Sequence, residues 1–286
     1  MQNYYLVGSP ISHSLSPFMM NLSFRIKGFD AVYGLREADD AALPGAVESL
    51  LKEGASCWNV TMPDKHAMSL LCDELSPESL IGESVNTVKN ENGRLIGYTT
   101  DGAGFMNAAA ASGCDLTGEK MTLLGSGGAS AAILIRASLA GVREISVFCN
   151  RKSSFRKIEE IREKLAGVSK TRIGIFAYDP PEILKKETAD SRALINATNV
   201  GMETGTGRPL GCLIPDSSYF HPNLFVYDII YHPFETPLVL LARGAGLHSE
   251  GGLSMLIRQG AESFRIWTGT DMPVEDVSAA VRKQLQ

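Results

Sequence analysis

A short run of glycines near the middle of the chain lies between two apolar stretches. Gly125-Ser126-Gly127-Gly128 follows Met121–Leu124 and precedes the apolar run Ala129–Arg136. Glycines let a backbone turn tightly and approach a pyrophosphate, whose charge is held by N–H groups at the start of a helix. Ser130 stands where a third glycine is usual, and its side chain is small enough for close helix packing. The pattern predicts a dinucleotide-binding turn.

The residues after the next apolar stretch indicate which dinucleotide binds. A strand is expected over Ile145–Asn150, and Arg151 and Lys152 follow it without a nearby carboxylate. Sites for NAD usually place Asp or Glu here to bind the ribose 2′-hydroxyl. Arginine offers a planar donor fork and lysine a point charge, which both suit a 2′-phosphate. A solvated basic loop is the alternative interpretation, but at this position the sequence favours NADP.

Polar side chains also collect where the predicted strands of the first hundred residues end. In open α/β sheets ligands bind beyond the carboxyl ends of the strands, so these side chains are expected to share one cleft. Ordinary structural roles are the alternative: Ser16 and Asp101 would cap helices, Asn86 would complete a turn and Lys65 would be solvated. A cation in a first helical turn opposes the helix dipole, however, which favours a polar or anionic partner for Lys65. The set is Ser14, Ser16, Asn59, Thr61, Lys65, Asn86 and Asp101.

Strands alternate with helices along the chain, which is typical of α/β proteins. The expected strands are Tyr4–Val7, Ala31–Leu35, Ser56–Val60, Val85–Lys89, Arg94–Tyr98, Met121–Leu124, Ile145–Asn150, Arg172–Tyr178, Ala193–Ala197, Phe225–Tyr231 and a short one from Leu247. The expected helices are Pro17–Lys27 with Ser16 as N-cap, Leu43–Lys52, Lys65 to about Leu75, Asp101–Ser112, a helix from Ala129 that ends at Gly141, Phe155–Leu165, Pro237–Arg243, Leu253–Trp267 and Val274–Leu285.

These elements predict two α/β domains. Residues 1–104 would form a substrate domain with a mainly parallel sheet, and residues 105–248 a Rossmann-type, doubly wound domain that binds NADP. Residues 249–286 would return as helices that pack on the first domain. A length of 286 residues is sufficient for two ordinary cores.

The composition is that of a globular protein, and it shows neither the basic clusters typical of nucleic-acid binding nor the long apolar run of a membrane helix. The net charge is −5, with 44% hydrophobic and 21% charged residues, and the basic residues are scattered. The five cysteines form no CxxC pair, so reduced thiols in a cytosol are expected. No apolar run reaches the ~20 residues of a membrane helix. We expect a cytoplasmic protein whose partner is a small molecule rather than nucleic acid or membrane.

Taken together, the motifs resemble the shikimate dehydrogenase family, including its shikimate/quinate branch, along essentially the whole chain. Gly8–Pro17 is similar to the family's N-terminal substrate motif, and Asn59–Lys65 to its catalytic-lysine segment. The other similar segments follow in the family's order: Val85-Asn86-Thr87, Gly97–Gly102, the Gly125 turn, Asn150-Arg151, Asn196-Ala197-Thr198, Val200-Gly201-Met202, Tyr231-His232-Pro233 and Gln259-Gly260-Ala261.

The resemblance implies a role for each matching residue. Lys65 and Asp101 would form the catalytic pair. Substrate would be held by Ser14, Ser16, Thr61, Asn86, Tyr231 and Gln259, with Tyr231 between substrate and nicotinamide. The cofactor would be held by Gly125, Ser126, Gly127, Gly128, Ala129, Asn150, Arg151, Lys152, Thr198, Val200, Gly201, Met202, Ile229, Gly252 and Met255. No metal is expected.

The activity implied by the resemblance is the reversible, NADP-linked reduction of 3-dehydroshikimate to shikimate, a step toward aromatic amino acids. Oxidising a ring alcohol needs hydride departure to nicotinamide and removal of the hydroxyl proton, so one acid/base group must lie within hydrogen-bond reach. Lys65 would be that group. The alternatives are a quinate/shikimate dehydrogenase that uses NAD or NADP, and a non-catalytic NADP-sensing homologue. A monomer or a homodimer is expected.

Overall fold

A computed structural model describes residues 1–203 and 211–285 of the chain. The chain divides into two compact units. The first unit comprises residues 1–104 and 257–286, and the second comprises residues 105–256. The boundaries fall within two helices, Asp101–Ala111 and Leu253–Thr268.

The first unit combines a mixed sheet with helices. Its strands are β1 (Gln2–Gly8), β2 (Ala31–Glu37), β3 (Cys57–Val60), β4 (Glu74–Leu75), β5 (Thr87–Glu91) and β6 (Arg94–Tyr98). The helices that begin before residue 105 are α1 (Ser16–Lys27), α2 (Leu43–Lys52), α3 (Lys65–Leu71), α4 (Pro77–Gly82) and α5 (Asp101–Ala111).

The strand order in this sheet is β2-β1-β3-β5-β6-β4. β1 pairs in parallel with β2 and β3, and β4 pairs in parallel with β6. β5 is antiparallel to both β3 and β6. The β5–β6 hairpin turns at Asn92 and Gly93, whose φ angles of 57° and 94° match the left-handed turn that Asn-Gly favours. The carboxyl ends of β1 and β3 therefore lie side by side, and the loops after them are neighbours.

The second unit contains a parallel sheet of the doubly wound type. Its strands are β7 (Lys120–Leu124), β8 (Glu144–Cys149), β9 (Arg172–Ala177), β10 (Ala193–Asn196), β11 (Phe225–Asp228) and β12 (Ser249–Glu250). Its helices are α6 (Gly128–Leu139), α7 (Lys152–Leu165), α8 (Pro181–Ala189) and α9 (Pro237–Gly244), with a 3-10 turn at Ser217–Tyr219. The strand order β12-β11-β10-β7-β8-β9 is that of a dinucleotide-binding Rossmann sheet. The predicted α/β fold class is confirmed.

The central strands of the second unit are apolar because helices cover both of their faces. Every residue of β7, β10 and β11 is buried. Such continuous burial is typical of parallel strands, whereas a half-exposed strand alternates apolar and polar residues. Among the described residues, none of the helices combines the length and the apolar character that a membrane span requires.

The last helices, α10 (Leu253–Thr268) and α11 (Val274–Gln284), follow the second unit, and from Ile257 onward they belong to the first. Aromatic side chains of α10 enter the core of the first unit. The Phe264 ring lies 5.4 Å from that of Phe24, and the Trp267 ring lies 5.3 Å from that of Tyr4. The indole of Trp267 also donates to the carbonyl of Val88 at 3.1 Å. The helices return to the first domain as predicted, but the return begins at Ile257 and not at residue 249, because β12 and the start of α10 belong to the second unit.

Local prediction was wrong at the end of one helix and at one helix cap. α3 ends at Leu71, not near Leu75, because Asp73 joins β6 by exchanging hydrogen bonds with Leu95, and a short strand follows. Ser16 is the first residue of α1 rather than its N-cap, and Leu15 occupies the cap without a described side-chain bond.

Local prediction was also wrong at the end of one strand. β11 ends at Asp228, not at Tyr231. The reason is that the Asp228 carboxylate accepts the backbone N–H of Ile230 at 3.1 Å, which turns the chain out of the sheet.

Candidate active site

A lysine and an aspartate form a close ion pair at the starts of two helices of the first unit. Lys65 is the first residue of α3, and Asp101 is the first residue of α5. The Nζ atom of Lys65 lies 2.6 Å from Oδ2 of Asp101, and the side chains are 21% and 13% exposed. The pair is thus sheltered but open to solvent on one side. An ammonium carries three hydrogens, so one can bond Asp101 while another is donated to a ligand.

Asn86 occupies the other oxygen of the same carboxylate. Its Nδ2 atom donates to Oδ1 of Asp101 at 2.8 Å, while its Oδ1 atom accepts the backbone N–H of Thr100 at 2.9 Å. A backbone N–H can only donate, so the amide oxygen must face Thr100 and the amide nitrogen must face Asp101. Lys65, Asn86 and Asp101 therefore form one connected group with a fixed direction of hydrogen bonding.

Two serines and a threonine follow the neighbouring strands β1 and β3. Ser14 Oγ accepts the backbone N–H of Ser16 at 3.2 Å. Thr61 comes directly after β3, and a Cβ added to Gly8 at the end of β1 would lie 2.5 Å from the methyl carbon of Thr61. Only glycine permits this approach at Gly8, whose φ is +152°. The serine loop and Thr61 are thereby brought to one end of the sheet.

Gln259 lies on α10, against the beginning of α5. A Cβ on Gly104 would lie 2.7 Å from the backbone nitrogen of Gln259, so the absence of a side chain at Gly104 sets how closely the two helices pack. Gly104 lies in the first turn of α5, three residues after Asp101. Gln259 is therefore near the start of the helix that carries the aspartate.

Sequence reasoning did not single out several polar residues behind this group. Tyr33, Thr87, Thr100 and Ser263 are at most 2% exposed and bond to one another or to Asn59 and Asn86. A signal was available: Tyr33, Thr87 and Ser263 are hydroxyl residues within strands or a helix, and Ser263 lies one helical turn after Gln259. Buried polar side chains require partners, and such residues at several elements indicate a shared network.

In the second unit, the glycine turn between β7 and α6 contacts the loop after β10. Gly125 has a φ of +108°, and a Cβ there would lie 2.8 Å from the carbonyl oxygen of Ala197. Ser130 is fully buried and donates to the carbonyl of Gly125 at 2.6 Å. The serine thus stabilises the turn as well as fitting beneath it. Ser126, Gly127, Gly128 and Ala129 complete the turn and start α6.

The N-terminus of α6 has the hydrogen-bond donors that a phosphate group requires. Gly127 is the N-cap, no described side chain caps the helix, and Gly127 and Gly128 are both exposed. Backbone N–H groups in the first turn of a helix have no partner within the helix and carry the positive end of its dipole. A cofactor pyrophosphate would find donors here without displacing a side chain.

The basic loop after β8 borders a cavity of about 600 Å³. Its lining residues include Asn150, Arg151, Lys152, Phe155 and Tyr178. The volume is within the ~300–1,000 Å³ that small-molecule sites usually have. Arg151 and Lys152 are exposed and begin α7, which has no acidic residue in its first turn. Cations at the positive end of a helix are favourable only with an anion nearby, so the cavity fits a phosphate-bearing nucleotide.

Two further loops of the second unit are joined by buried polar side chains. Asn196 Nδ2 donates to Oδ1 of Asp228 at 3.0 Å, and Asn196 Oδ1 accepts from the hydroxyl of Thr198 at 2.7 Å. The carboxylate of Asp228 also accepts from Thr236 at 2.8 Å. Burial raises the pKa of Asp228, and these hydrogen bonds oppose that shift. The loops that this network fixes carry Thr198, Val200, Gly201, Met202, Ile229 and Tyr231.

Gly252 and Met255 lie at the start of α10, in the part that belongs to the second unit. Gly252 N–H donates to the carbonyl of Ile230 at 2.9 Å, and Met255 is 7% exposed. Tyr231 is half-buried, and burial raises the pKa of its phenol. These residues lie together with Ile229 in the second unit. The predicted position of Tyr231 between substrate and nicotinamide stays a prediction.

Comparison with known protein families gives two matches. Residues 6–88 match the model of the shikimate dehydrogenase substrate binding domain. Residues 252–282 match the model of the shikimate 5'-dehydrogenase C-terminal domain. The first match includes the end of β1, α3 and Asn86, and the second includes Gln259.

Individual proteins are similar along nearly the whole chain. The shikimate dehydrogenase (NADP(+)) of Listeria monocytogenes serotype 4b is 39% identical over 270 residues, which are 94% of this chain and 92% of the relative. A crystal structure of shikimate 5-dehydrogenase from Listeria monocytogenes, in complex with shikimate and NAD, has a TM-score of 0.93 at 38% identity, covering 98% of this chain and 96% of that one. The Thermus thermophilus enzyme in complex with NADP(H) and shikimate has a TM-score of 0.82 at 31% identity, covering 99% of both chains.

Proposed function

The chain belongs to the shikimate dehydrogenase family, and from this we propose that it catalyses the reversible, NADP-linked reduction of 3-dehydroshikimate to shikimate. The observation that carries the proposal is the 2.6 Å contact between Lys65 Nζ and Asp101 Oδ2. A ring ketone becomes an alcohol when its carbon gains a hydride and its oxygen gains a proton. NADPH supplies the hydride when bound, and the chain supplies the proton.

Lys65 is the proton donor in this proposal. Its ammonium gives one hydrogen to Asp101 and directs another at the ketone oxygen, which takes the proton as negative charge develops on it. In the oxidative direction the neutral amine accepts the proton of the ring hydroxyl. Asp101 stabilises the ammonium by its charge, and the amide of Asn86 holds the second oxygen of Asp101 in place.

A ring acid with several hydroxyls suits the polar groups at the end of the first unit's sheet. Ser14 Oγ already accepts the N–H of Ser16, so its own hydrogen can be donated to the substrate carboxylate. The hydroxyl of Ser16 is a second donor for that carboxylate. Thr61, Asn86 and Gln259 offer both donors and acceptors, which ring hydroxyls require.

The cofactor in this proposal is NADP, bound by the second unit. The turn Gly125–Ala129 would hold the pyrophosphate, and Asn150, Arg151 and Lys152 would hold the adenosine end with its 2′-phosphate. The nicotinamide end would contact the remaining predicted cofactor residues, namely Thr198, Val200, Gly201, Met202, Ile229, Gly252 and Met255. The exposed N-terminus of α6 and the cavity beside Arg151 support this assignment.

The test is steady-state turnover of shikimate with NADP in Lys65→Ala. We expect kcat to fall by at least ~10²-fold, which is the usual contribution of a positioned acid/base group. Lys52→Ala, which removes an exposed lysine from α2 of the same unit, should keep normal turnover. NADPH affinity should be unchanged in both variants. Unchanged kcat in Lys65→Ala would contradict the proposed role and would favour a non-catalytic NADP-sensing protein.

Quinate and NAD serve as the competing substrate and cofactor in the same assay. Quinate adds a hydroxyl at the carboxylate-bearing carbon, and a site without a dedicated clash rejects such an analogue by only ~10²-fold. We expect kcat/KM to be larger for shikimate than for quinate and larger with NADP than with NAD. A larger value for quinate would identify the chain as a quinate/shikimate dehydrogenase and leave Lys65 and Asp101 in their roles.

A further inference from the structure

A cluster of buried polar side chains lies behind the Lys65–Asn86–Asp101 group. The Asn59 cluster consists of Tyr33, Asn59, Thr87 and Ser263, which are between 0 and 7% exposed. It joins β2, β3, β5 and α10 through side-chain hydrogen bonds. None of these side chains takes part in the chemistry proposed above.

The amide of Asn59 has only one possible orientation. Its Nδ2 atom lies 3.0 Å from the backbone carbonyl oxygen of Asn86, an atom that can only accept. Its Oδ1 atom therefore faces Tyr33, whose hydroxyl donates to it at 2.8 Å. Burial raises the pKa of Tyr33 well above its usual range, so the phenol keeps its hydrogen. Both ends of the Asn59 amide are thus fixed.

Thr87 connects this fixed amide to the side chain of Asn86. Its hydroxyl lies 2.9 Å from Asn86 Oδ1, 3.0 Å from Asn59 Nδ2 and 2.7 Å from Ser263 Oγ. A hydroxyl has one hydrogen and two lone pairs. One hydrogen of Asn59 Nδ2 is donated to the carbonyl of Asn86, and the other is shared between the hydroxyls of Thr87 and Ser263, which both lie 3.0 Å from the nitrogen. Thr87 can then give its hydrogen to Asn86 while Asn59 and Ser263 lie within donating distance of its lone pairs.

We infer that Thr87, held by Asn59 and Ser263, is a positioning residue that fixes the Asn86 side chain so that its amide hydrogens point at Asp101. The inference rests on the proposed function, in which Asp101 holds the proton donor Lys65. Without the Thr87 hydroxyl, Asn86 Oδ1 keeps its bond from the backbone N–H of Thr100 but loses a second partner inside a buried site, so the amide is held less firmly. Asp101 would then keep Lys65, but the donor that orients its carboxylate would be less precisely placed.

The expected effect is kinetic because the displaced groups are those that transfer the proton. A misplacement of about 1 Å at a reacting group costs roughly 10²-fold in rate. One lost hydroxyl in a network that retains its backbone contacts should cost less, about tenfold in kcat. Cofactor binding is assigned to the second unit, so the KM for NADP should stay unchanged.

The test compares Thr87→Val, which keeps the shape of the side chain but removes its hydroxyl, with Thr87→Ser, which keeps the hydroxyl. We expect kcat for shikimate oxidation to fall about tenfold in Thr87→Val and to recover to within about threefold of wild type in Thr87→Ser. The KM for NADP should change less than twofold in either. If Thr87 acts through Asn86, adding Thr87→Val to Asn86→Ala should lower kcat no further than Asn86→Ala alone.

Ser23→Ala is the matched control for loss of a buried hydroxyl. Ser23 is fully buried on α1 and donates to the carbonyl of Met19 at 2.7 Å. Normal kcat in Ser23→Ala with reduced kcat in Thr87→Val supports the inference. Wild-type kcat in Thr87→Val, equal losses in Thr87→Val and Thr87→Ser, or additive losses with Asn86→Ala would each overturn it. Lys65→Ala distinguishes failure of the proposed function from failure of this inference. An active Lys65→Ala variant would contradict the proposed function. An inactive Lys65→Ala variant together with a fully active Thr87→Val variant would contradict only the role of Thr87.

Discussion

Gly252 lies so close to the carbonyl of Ile229 that a Cβ atom on Gly252 would stand 1.9 Å from that oxygen. The contact is between backbone atoms, so no side-chain rotation can relieve it. Gly252 N–H also donates to the next carbonyl, that of Ile230, at 2.9 Å. The start of α10 therefore fixes the segment after β11 at a distance that only glycine allows.

Gly252→Ala should displace Ile229 and weaken cofactor binding. Overpacking of this kind usually costs ~1–3 kcal/mol, and we expect NADPH affinity to fall at least about tenfold. A fluorescence titration of NADPH without substrate measures the effect. Gly244→Ala is the control, because Gly244 lies in α9 and an added Cβ would meet no described atom within 4 Å. Wild-type affinity in Gly252→Ala would mean that the segment after β11 does not contact the cofactor.

Replacing Arg151 and Lys152 by serine should remove the preference for NADP. A charge-assisted hydrogen bond contributes roughly 1.5–3 kcal/mol, so the loss of one or two should lower kcat/KM for NADP by tenfold or more. The value for NAD should change less than about threefold, because NAD has no 2′-phosphate. Lys157→Ser, which removes an exposed cation from the same helix, is the control. Equal losses for both cofactors would place the two cations away from the 2′ position.

Asp64 should make the first unit less stable as the pH rises. Its side chain is fully buried, and neither carboxylate oxygen accepts a hydrogen bond from a described residue. Burial, and after it the neighbouring carboxyl groups of Asp40 and Asp39, raise the pKa of Asp64 to about 6. A raised pKa means that the folded state holds the proton more tightly. This stabilisation is complete below the unfolded pKa near ~4 and is lost as the pH rises through 6.

Asp64→Asn cannot ionise and should escape this loss. Near pH 4 the variant and the wild type should be equally stable, and at pH 8 the variant should be more stable by up to ~3 kcal/mol. Both tryptophans, Trp58 and Trp267, lie in the first unit, so urea unfolding followed by tryptophan fluorescence reports on it. Asp30→Asn, at an exposed site, should show no such crossover. A pH-independent difference between Asp64→Asn and wild type would count against a buried, proton-binding Asp64.

Lys120 should be essential to the stability of the second unit. The Lys120 side chain is 4% exposed, and its Nζ lies 2.6 Å from Asp190 and 2.8 Å from Glu187. Burial disfavours the charge of Lys120, but hydrogen bonds to these two carboxylates outweigh it and raise its pKa. Burial would likewise raise the pKa of Glu187, but hydrogen bonds from Lys120 and Ser146 lower it.

Lys120→Met leaves Glu187 buried without its cation, which typically costs ~3–5 kcal/mol. Urea unfolding followed by far-ultraviolet circular dichroism measures the loss at neutral pH. The loss should shrink toward pH 4, because a protonated Glu187 no longer needs the cation. Lys52→Met removes a surface pair at 3.6 Å and should cost less than ~0.5 kcal/mol. A cost below about 1 kcal/mol for Lys120→Met would show that water or another group satisfies Glu187.

Patterns that depend on neighbours in the sequence could be predicted well. The α/β class and the family are confirmed, and the Asn92-Gly93 hairpin and the Gly125 turn lie where glycine placement put them. Such features follow from backbone preferences and from the alternation of apolar and polar residues, which are local properties.

Features set by distant partners could not be predicted. The strand β4 exists because Glu74 and Leu75 pair with β6, about twenty residues away along the chain. The end of β11 depends on one side chain, Asp228, turning back onto its own backbone. The Asn59–Ser263 contact at 3.0 Å joins residues that are 204 positions apart. Polar residues in apolar elements signal that a partner exists, but their spacing in the sequence does not identify it.

The first unit is formed by two separate segments of the chain, so its parts are synthesised at different times. Its sheet is synthesised within the first 104 residues, but Phe264 and Trp267, which complete its aromatic core, follow after residue 256. During translation the rings of Tyr4 and Phe24 therefore lack their contacts with Trp267 and Phe264 until the whole second unit has been synthesised. Because domains emerge and fold as units during synthesis, the second unit can mature first. The segment that carries Lys65 and Asp101 is thus synthesised first, but the helices that complete its core are synthesised last.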